Sequence, residues 1–246
     1  METMNQRHML VSGNAIPLYQ SSENGKPRVA FFPGFGLSLR HFERFVAELE
    51  NQYHVTFFGI NGLSGKSVGF AHPPRSVNEN VELAYQAIQQ SGIETELDYL
   101  AGHSFGGALA IRLATQQSVD KIVALAPLLP TSRSSYSLIL QGLRRLLQDG
   151  DFGYIKNALA EPSLLSKLTR EVSEHSYEDL RGRIQQPCLI VEGEKDFFFP
   201  NPLTRMSELY ALGSNVQVLT LSGNTDHVFP ITHTKDTARA IESFLT

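Results

Sequence analysis

"LAGHSFGGALA", residues 100–110, places one serine between two glycine-containing pairs, with an apolar run before it and a run of helical character after it. Within it, "GHSFG" (102–106) matches G-x-S-x-G, a pattern short enough to occur by chance, so its surroundings decide its meaning. "LDYLA" (97–101) reads as a buried strand and "GGALAIRLATQQ" (106–117) as a helix, which puts the motif at a strand–turn–helix junction. A serine in such a junction is held in strained dihedrals, and side chains two positions away would collide with backbone. Gly102 and Gly106 remove those side chains. The turn then lifts the Ser104 hydroxyl above the C-terminal edge of the sheet and aims the backbone N–H of Phe105, at a helix N-terminus, toward the same place. The competing reading is a tight strand–helix turn with no activity.

Strands of the same kind recur along the chain: "RVAFFPG" (28–34), "YHVTFFGI" (53–60), "LDYLAG" (97–102), "KIVALAP" (121–127), "CLIVEGE" (188–194) and "VQVLTLSG" (216–223). Each is rich in β-branched or aromatic residues and ends in turn residues. Their near-continuous apolarity predicts burial on both faces of a parallel sheet. Helical segments lie between them. "SLRHFERFVAEL" (38–49) puts Leu39, Phe42, Phe45, Val46 and Leu49 on one face, with Ser38 as its cap. "NVELAYQAIQQ" (80–90), "NPLTRMSELYALG" (201–213, opening on Asn201 and Pro202) and "TKDTARAIESFL" (234–245) complete the set. The β-α-β-α alternation predicts an α/β fold, a mostly parallel central sheet with helices on both faces. It breaks from Pro130 to Gln186, about 55 residues with no convincing strand, where αβ connections usually run about 2 to 6. Candidate short helices there are interrupted by Gly142, Gly150, Gly153 and Pro162. The expected division is therefore a core of residues 1–129 and 187–246, with 130–186 inserted as a helical cap.

Composition excludes several classes of function. The chain has 246 residues, 41% hydrophobic, enough for one sizeable core. Lys and Arg total 21 against 25 Asp and Glu, a net charge of -4, which argues against a nucleic-acid binder. The doublet Arg144–Arg145 reads as a solvated helix face. The single cysteine, Cys188, lies in an apolar run and reads as an inert core residue of a reducing compartment. The N-terminal "METMNQRHMLVSGN" has no apolar stretch of signal-peptide length, and no segment approaches the ~20 apolar residues of a membrane span. A cytoplasmic protein without a membrane partner is expected; its oligomeric state is not readable.

An acyl-transfer serine needs a second oxyanion donor, a base and an acid. "FFPGFG" (31–36) runs from a strand into a Gly-rich turn and can present the backbone N–H of Phe35 beside that of Phe105. Of eight histidines, His8, His41, His54, His72 and His175 fall in the terminus, a helix, a strand edge, a loop and the cap, and His103 should point away from the serine hydroxyl, as structural support. His227 in "GNTDHVFP" follows the last strand and precedes the last helix, so it is the base; His233 is the runner-up, nearer the helix start. Asp196 in "LIVEGEKDFFFP" follows the penultimate strand and suits the acid better than Asp226, which adjoins His227, or Glu194, at the strand end. The order is Ser104, Asp196, His227.

These motifs together resemble the α/β-hydrolase superfamily over nearly the whole chain. "FFPGFG" resembles its oxyanion loop, "GHSFGG" its nucleophile elbow, "GEKDFFFP" its acid loop and "GNTDHVFP" its histidine loop, and "NGLSGKS" (61–67) is similar to its Gly-rich loop at that place. The resemblance implies Ser104, His227 and Asp196 as catalytic residues, Phe35 and Phe105 as oxyanion donors, and no cofactor or metal. Two departures are visible. Pro33 stands where the family commonly has histidine, which leaves a backbone donor intact, and the chain has no tryptophan. The missing tryptophan, with serine rather than aspartate at the elbow, argues against the dehalogenase-like branch and against epoxide hydrolysis. "GKS" (65–67) is no P-loop, since the required earlier glycine falls on Ile60. The leading expectation is hydrolysis of a small-molecule ester or thioester with an apolar acyl group, suggested by Phe35, Phe105, Phe197, Phe198 and Phe199 near strand ends. The alternatives are carbon–carbon cleavage or elimination by the same triad, and a slow-turnover binding or receptor protein.

Overall fold

The computed structural model describes residues 6–22, 25–34, 37–60, 76–128, 177–196 and 202–246. Strands β1 (Arg7–Val11), β2 (Asn14–Gln20), β3 (Arg28–Phe32), β4 (His54–Phe58), β5 (Tyr99–His103), β6 (Lys121–Leu125), β7 (Cys188–Gly193) and β8 (Val216–Leu221) form one eight-stranded sheet. Their order is β1-β2-β4-β3-β5-β6-β7-β8. From β4 to β8 every neighbouring pair is parallel, whereas β1 and β2 form an antiparallel hairpin that pairs with β4. The apolar strands β4, β6 and β7 are buried through almost their whole length. Cys188 opens β7 fully buried, and burial pushes its thiol up to about 12.

The helices are α1 (Leu39–Leu49), α2 (Val77–Ser91), α3 (Phe105–Leu113), α4 (Pro202–Tyr210), α5 (Phe229–Thr232) and α6 (Thr234–Leu245). Residues of α2, α3 and the end of α4 share a core with one face of the sheet, and α1 and α6 pack on the other. On α1, Leu39, Phe42, Phe45, Val46 and Leu49 are all buried, as their spacing predicts. Fully burying a large apolar side chain contributes roughly 2 kcal/mol, so this face anchors a helix too short to persist alone. Ser38 is its N-cap, and the Ser38 N–H donates to Nδ1 of His41 at 3.1 Å, a capping role for that histidine. Helix α2 starts at Val77, earlier than its periodicity shows, because Ser76 Oγ accepts from the Glu79 N–H at 3.1 Å. At the end of α6, Lys121 Nζ donates to the carbonyls of Phe244 and Leu245, each at 2.8 Å.

Two expectations change. The hairpin β1–β2 falls in a segment read only as a terminus, and His8 lies in β1. Strand β8 is not buried on both faces: it is the edge of the sheet, and Gln217, Leu219 and Thr220 are exposed. The expected cap at 130–186, with Arg144, Arg145 and His175, lies outside the described residues except for its end, where Tyr177–Leu180 forms a 3-10 turn. Phe35, His72, the loop 61–67, Phe197 to Phe199 and Asn201 also lie outside them.

Candidate active site

Parallel pairing of β3 with β5 sets Phe32 opposite Gly102, so the ends of these two strands emerge side by side. Ser104 follows β5 immediately and is the N-cap of α3, with φ 53° and ψ -115°. A non-glycine residue in such a conformation costs of order 1–3 kcal/mol and persists only where its surroundings over-determine it. Here they do. The Ser104 N–H donates to the Leu125 carbonyl at 2.8 Å, and the Ser104 carbonyl accepts from Ala108 at 3.1 Å and Leu128 at 2.9 Å. The elbow is also packed backbone against backbone. A Cβ on Gly102 would lie 2.2 Å from the Gly106 carbonyl oxygen, and one on Gly106 would lie 2.1 Å from that of Phe32.

His227 stands in the loop between β8 and α5, and Asp196 in the turn after β7. His227 Nε2 is 2.8 Å from Ser104 Oγ, and His227 Nδ1 is 2.8 Å from Asp196 Oδ2. A carboxylate can only accept, so Nδ1 carries the proton and, in the neutral ring, Nε2 offers its lone pair to the serine hydroxyl. The side chains of His227 and Asp196 are each 3% exposed, so a positive charge on this imidazole would be paired with the carboxylate in a water-poor setting.

The acid turn and the histidine loop are stitched together. Glu194 accepts from the Gly223 N–H at 3.2 Å, and its own N–H donates to Thr225 Oγ1 at 3.0 Å. The Lys195 N–H donates to the Thr225 carbonyl at 2.8 Å, and Thr225 Oγ1 donates in turn to the Leu221 carbonyl. Glu194, considered as an acid and set aside, therefore holds the histidine loop instead. Asp226 Oδ1 accepts from the Val228 N–H at 3.0 Å, a local turn around His227. His233 is the residue before α6, with Nδ1 2.9 Å from Thr232 Oγ1. Phe105 is buried at the first position of α3, where its amide belongs to the positive end of the helix.

His103 takes the supporting place expected of it, but its partner is one the sequence alone does not reveal. The residue is 1% exposed and its Nε2 lies 2.8 Å from the backbone oxygen of His227. The two residues are far apart in sequence, and only the tertiary approach of the histidine loop to the end of β5 brings them together. Burial first, and then the neighbouring His227 ring, lower the pKa of His103 to about 3, so it is neutral at physiological pH.

A family model for serine aminopeptidase, S33, matches residues 23–244. The chain belongs to this α/β-hydrolase family. The hydrolase is similar in structure to a membrane phospholipase A described as a bacterial virulence factor, at 18% identity and TM-score 0.79 over 98% of this chain and 85% of that one. It is also similar to the carboxylesterase CesB (YbfK) from Bacillus subtilis, at 16% identity and TM-score 0.71 over 98% of this chain and 91% of that one. A haloalkane dehalogenase variant (DbeA-M1) from Bradyrhizobium elkanii aligns at 16% identity and TM-score 0.72, over 96% of this chain and 94% of that one. Identities this low speak for the fold alone, and the dehalogenase carries a different chemistry on it from the phospholipase and the carboxylesterase. No curated protein sequence matches the hydrolase. Among its described residues, no helix is long and apolar enough to cross a membrane.

Proposed function

We propose that this α/β-hydrolase cleaves a small-molecule carboxylic ester or thioester with an apolar acyl group, through an acyl-enzyme on Ser104. The observation that carries the reading is the buried hydrogen-bonded series Ser104–His227–Asp196, with both links at 2.8 Å and the imidazole tautomer set by the carboxylate. His227 takes the Ser104 proton as Oγ attacks the acyl carbon, and Asp196 stabilises the imidazolium. The backbone N–H groups of Phe105 and Phe35 hold the oxyanion. His227 then protonates the leaving alkoxide or thiolate, and it activates the water that releases the acyl group and frees Ser104. Residues 130–186, as a cap, select the substrate. The phospholipase and the carboxylesterase among the structural neighbours favour an ester, while serine at position 104 argues against the dehalogenase's chemistry.

The test is labelling by a fluorophosphonate, with Ser104→Ala and His227→Ala beside the native protein, and turnover of aryl esters and thioesters of increasing acyl length. An amino-acid aryl amide in the same panel covers the bond that the family's name suggests. Labelling should vanish in Ser104→Ala, and both variants should lose roughly 10⁴-fold or more in ester turnover. Labelling that does not depend on Ser104 would sink the serine-hydrolase reading. Ser104-dependent labelling without turnover of any ester or thioester would instead favour elimination or ligand binding.

A further inference from the structure

His103 is a buried titratable side chain to which the acyl transfer described above gives no part. It is the last residue of β5 and precedes Ser104 directly. On one side its ring packs against Phe42 of α1, with centroids 5.6 Å apart, and on another against the His227 ring at 5.2 Å. Its Nε2 lies 2.8 Å from the His227 carbonyl oxygen. That oxygen can only accept, so His103 holds its single ring proton on Nε2 and its lone pair on Nδ1. The Nδ1 edge faces the loop that leaves β3: a Cβ on Gly34 would lie 2.6 Å from it. The ring thus stands between the histidine loop and the expected oxyanion loop while its own backbone belongs to the sheet.

We propose that His103 is a positioning residue for the acyl transfer: its Nε2–H holds the His227 backbone at a fixed height over Ser104, and its other edge sets the approach of the Gly34 loop. The proposal rests on the serine-hydrolase reading of the same site. The need for such a device is physical. Ser104 is fixed by the sheet and α3, but His227 comes from a loop, and proton transfer between them requires placement to within about 0.5 Å. A donor on the residue next to the nucleophile references the base to the nucleophile's own strand. The ring can do this because it stays neutral: a charge on it would oppose the imidazolium that forms on His227 during attack. The charged and titratable groups acting on it are His227 and Asp196, and the ring on its α1 side is Phe42.

The test compares His103→Phe, which keeps a ring and removes the donor, with His103→Gln, which restores an N–H at a similar reach. Both are measured per folded site, with folding checked by circular dichroism. His103→Phe should lower kcat and the rate of fluorophosphonate labelling about ten- to hundredfold, with KM within about twofold, and His103→Gln should recover most of the loss. A His103→Phe protein that labels at the native rate overturns the proposal, as does His103→Gln behaving no better than His103→Phe. A native protein that labels at Ser104 but turns over no ester counts against the ester reading and leaves this one standing. Nitrogen NMR of native protein labelled at histidine is independent of both variants and of activity. It should show one imidazole fixed as the Nε2–H tautomer across neutral pH, and a His103 that titrates as a surface histidine, or holds its proton on Nδ1, overturns the proposal.

Discussion

Two serines among the described residues of this hydrolase sit in left-handed backbone, Ser12 at φ 48° and Ser104 at φ 53°, and little else about them is alike. Ser12 and Gly13, the latter at φ 77°, are the two loop residues between the paired Val11 and Asn14. Positive φ at both positions is what a two-residue hairpin turn of type I′ requires, because it matches the twist of the strands. Both residues are exposed, and Ser12 Oγ reaches only the side chain of Gln86, at 2.6 Å. Ser104 is buried, and sheet, helix and the β6 turn each hold its backbone. A left-handed residue therefore says little by itself. What separates a turn from a candidate nucleophile is whether neighbouring elements leave the backbone any other course.

The comparison breaks if the elbow tolerates a side chain. Gly106→Ala would put a methyl group 2.1 Å from a backbone oxygen of β3, which no rotamer change relieves. It should cost at least about 3 kcal/mol and lower Tm by roughly 6–12 °C for a chain of this size. Gly13→Ala in the hairpin, strained only by its own φ, should cost about 1 kcal/mol. Thermal and urea unfolding of the pair measures both. A Gly106→Ala protein that melts no lower than Gly13→Ala would show that backbone contact does not hold the elbow.

A smaller effect isolates the strain on Ser104. Ser104→Ala and Ser104→Gly both remove the hydroxyl and its bond to His227, so they differ only in the Cβ, its buried contacts and the backbone conformations it permits. Ser104→Gly should be the more stable by about 1 kcal/mol, because glycine adopts positive φ without steric cost. Urea midpoints at equal m-value measure this difference. Equal stability would mean that the surrounding hydrogen bonds, and not the residue's own sterics, set the energy of this turn.

The two serines also differ in how far the sequence betrays them. "GHSFG" lies between an apolar run and a helical run, and the strands that carry Asp196 and His227 are similarly apolar, so three side chains from three loops could be chosen by their place after a strand. Strands β3 to β7 are legible for the same reason: burial on both faces keeps polar residues few, with Arg28, His103, Lys121 and Glu192 at or near strand ends and only His54 and Thr56 within β4, so the apolar run stays clear. The hairpin is not. Strand β1 is an edge whose first two residues, Arg7 and His8, are exposed, and β2 carries Pro17, a residue that argues against a strand. Its one local signal is the Ser12–Gly13 pair between two short runs. At the site, the bonds of His103 and Glu194 to the histidine loop are likewise hidden, because they depend on how loops distant in sequence meet.

The smallest change tests whether Ser12 is only a turn residue. Asparagine tolerates left-handed backbone better than serine, and Asn-Gly is the pair that type I′ turns favour most. Ser12→Asn should therefore stabilise the protein by a few tenths of a kcal/mol. The gain is held down by loss of an exposed hydrogen bond to Gln86, the kind of contact that contributes about 1 kcal/mol at most. Activity toward an aryl ester should not change, since the turn belongs to the outer hairpin of the sheet, separated from the elbow strand β5 by β4 and β3. Precise urea denaturation, with Gln86→Ala combined in a double-mutant cycle, separates the two terms. A clear loss of stability that Gln86→Ala abolishes would show that Ser12 ties the hairpin to α2, so that the left-handed turn there serves packing as the one at Ser104 does.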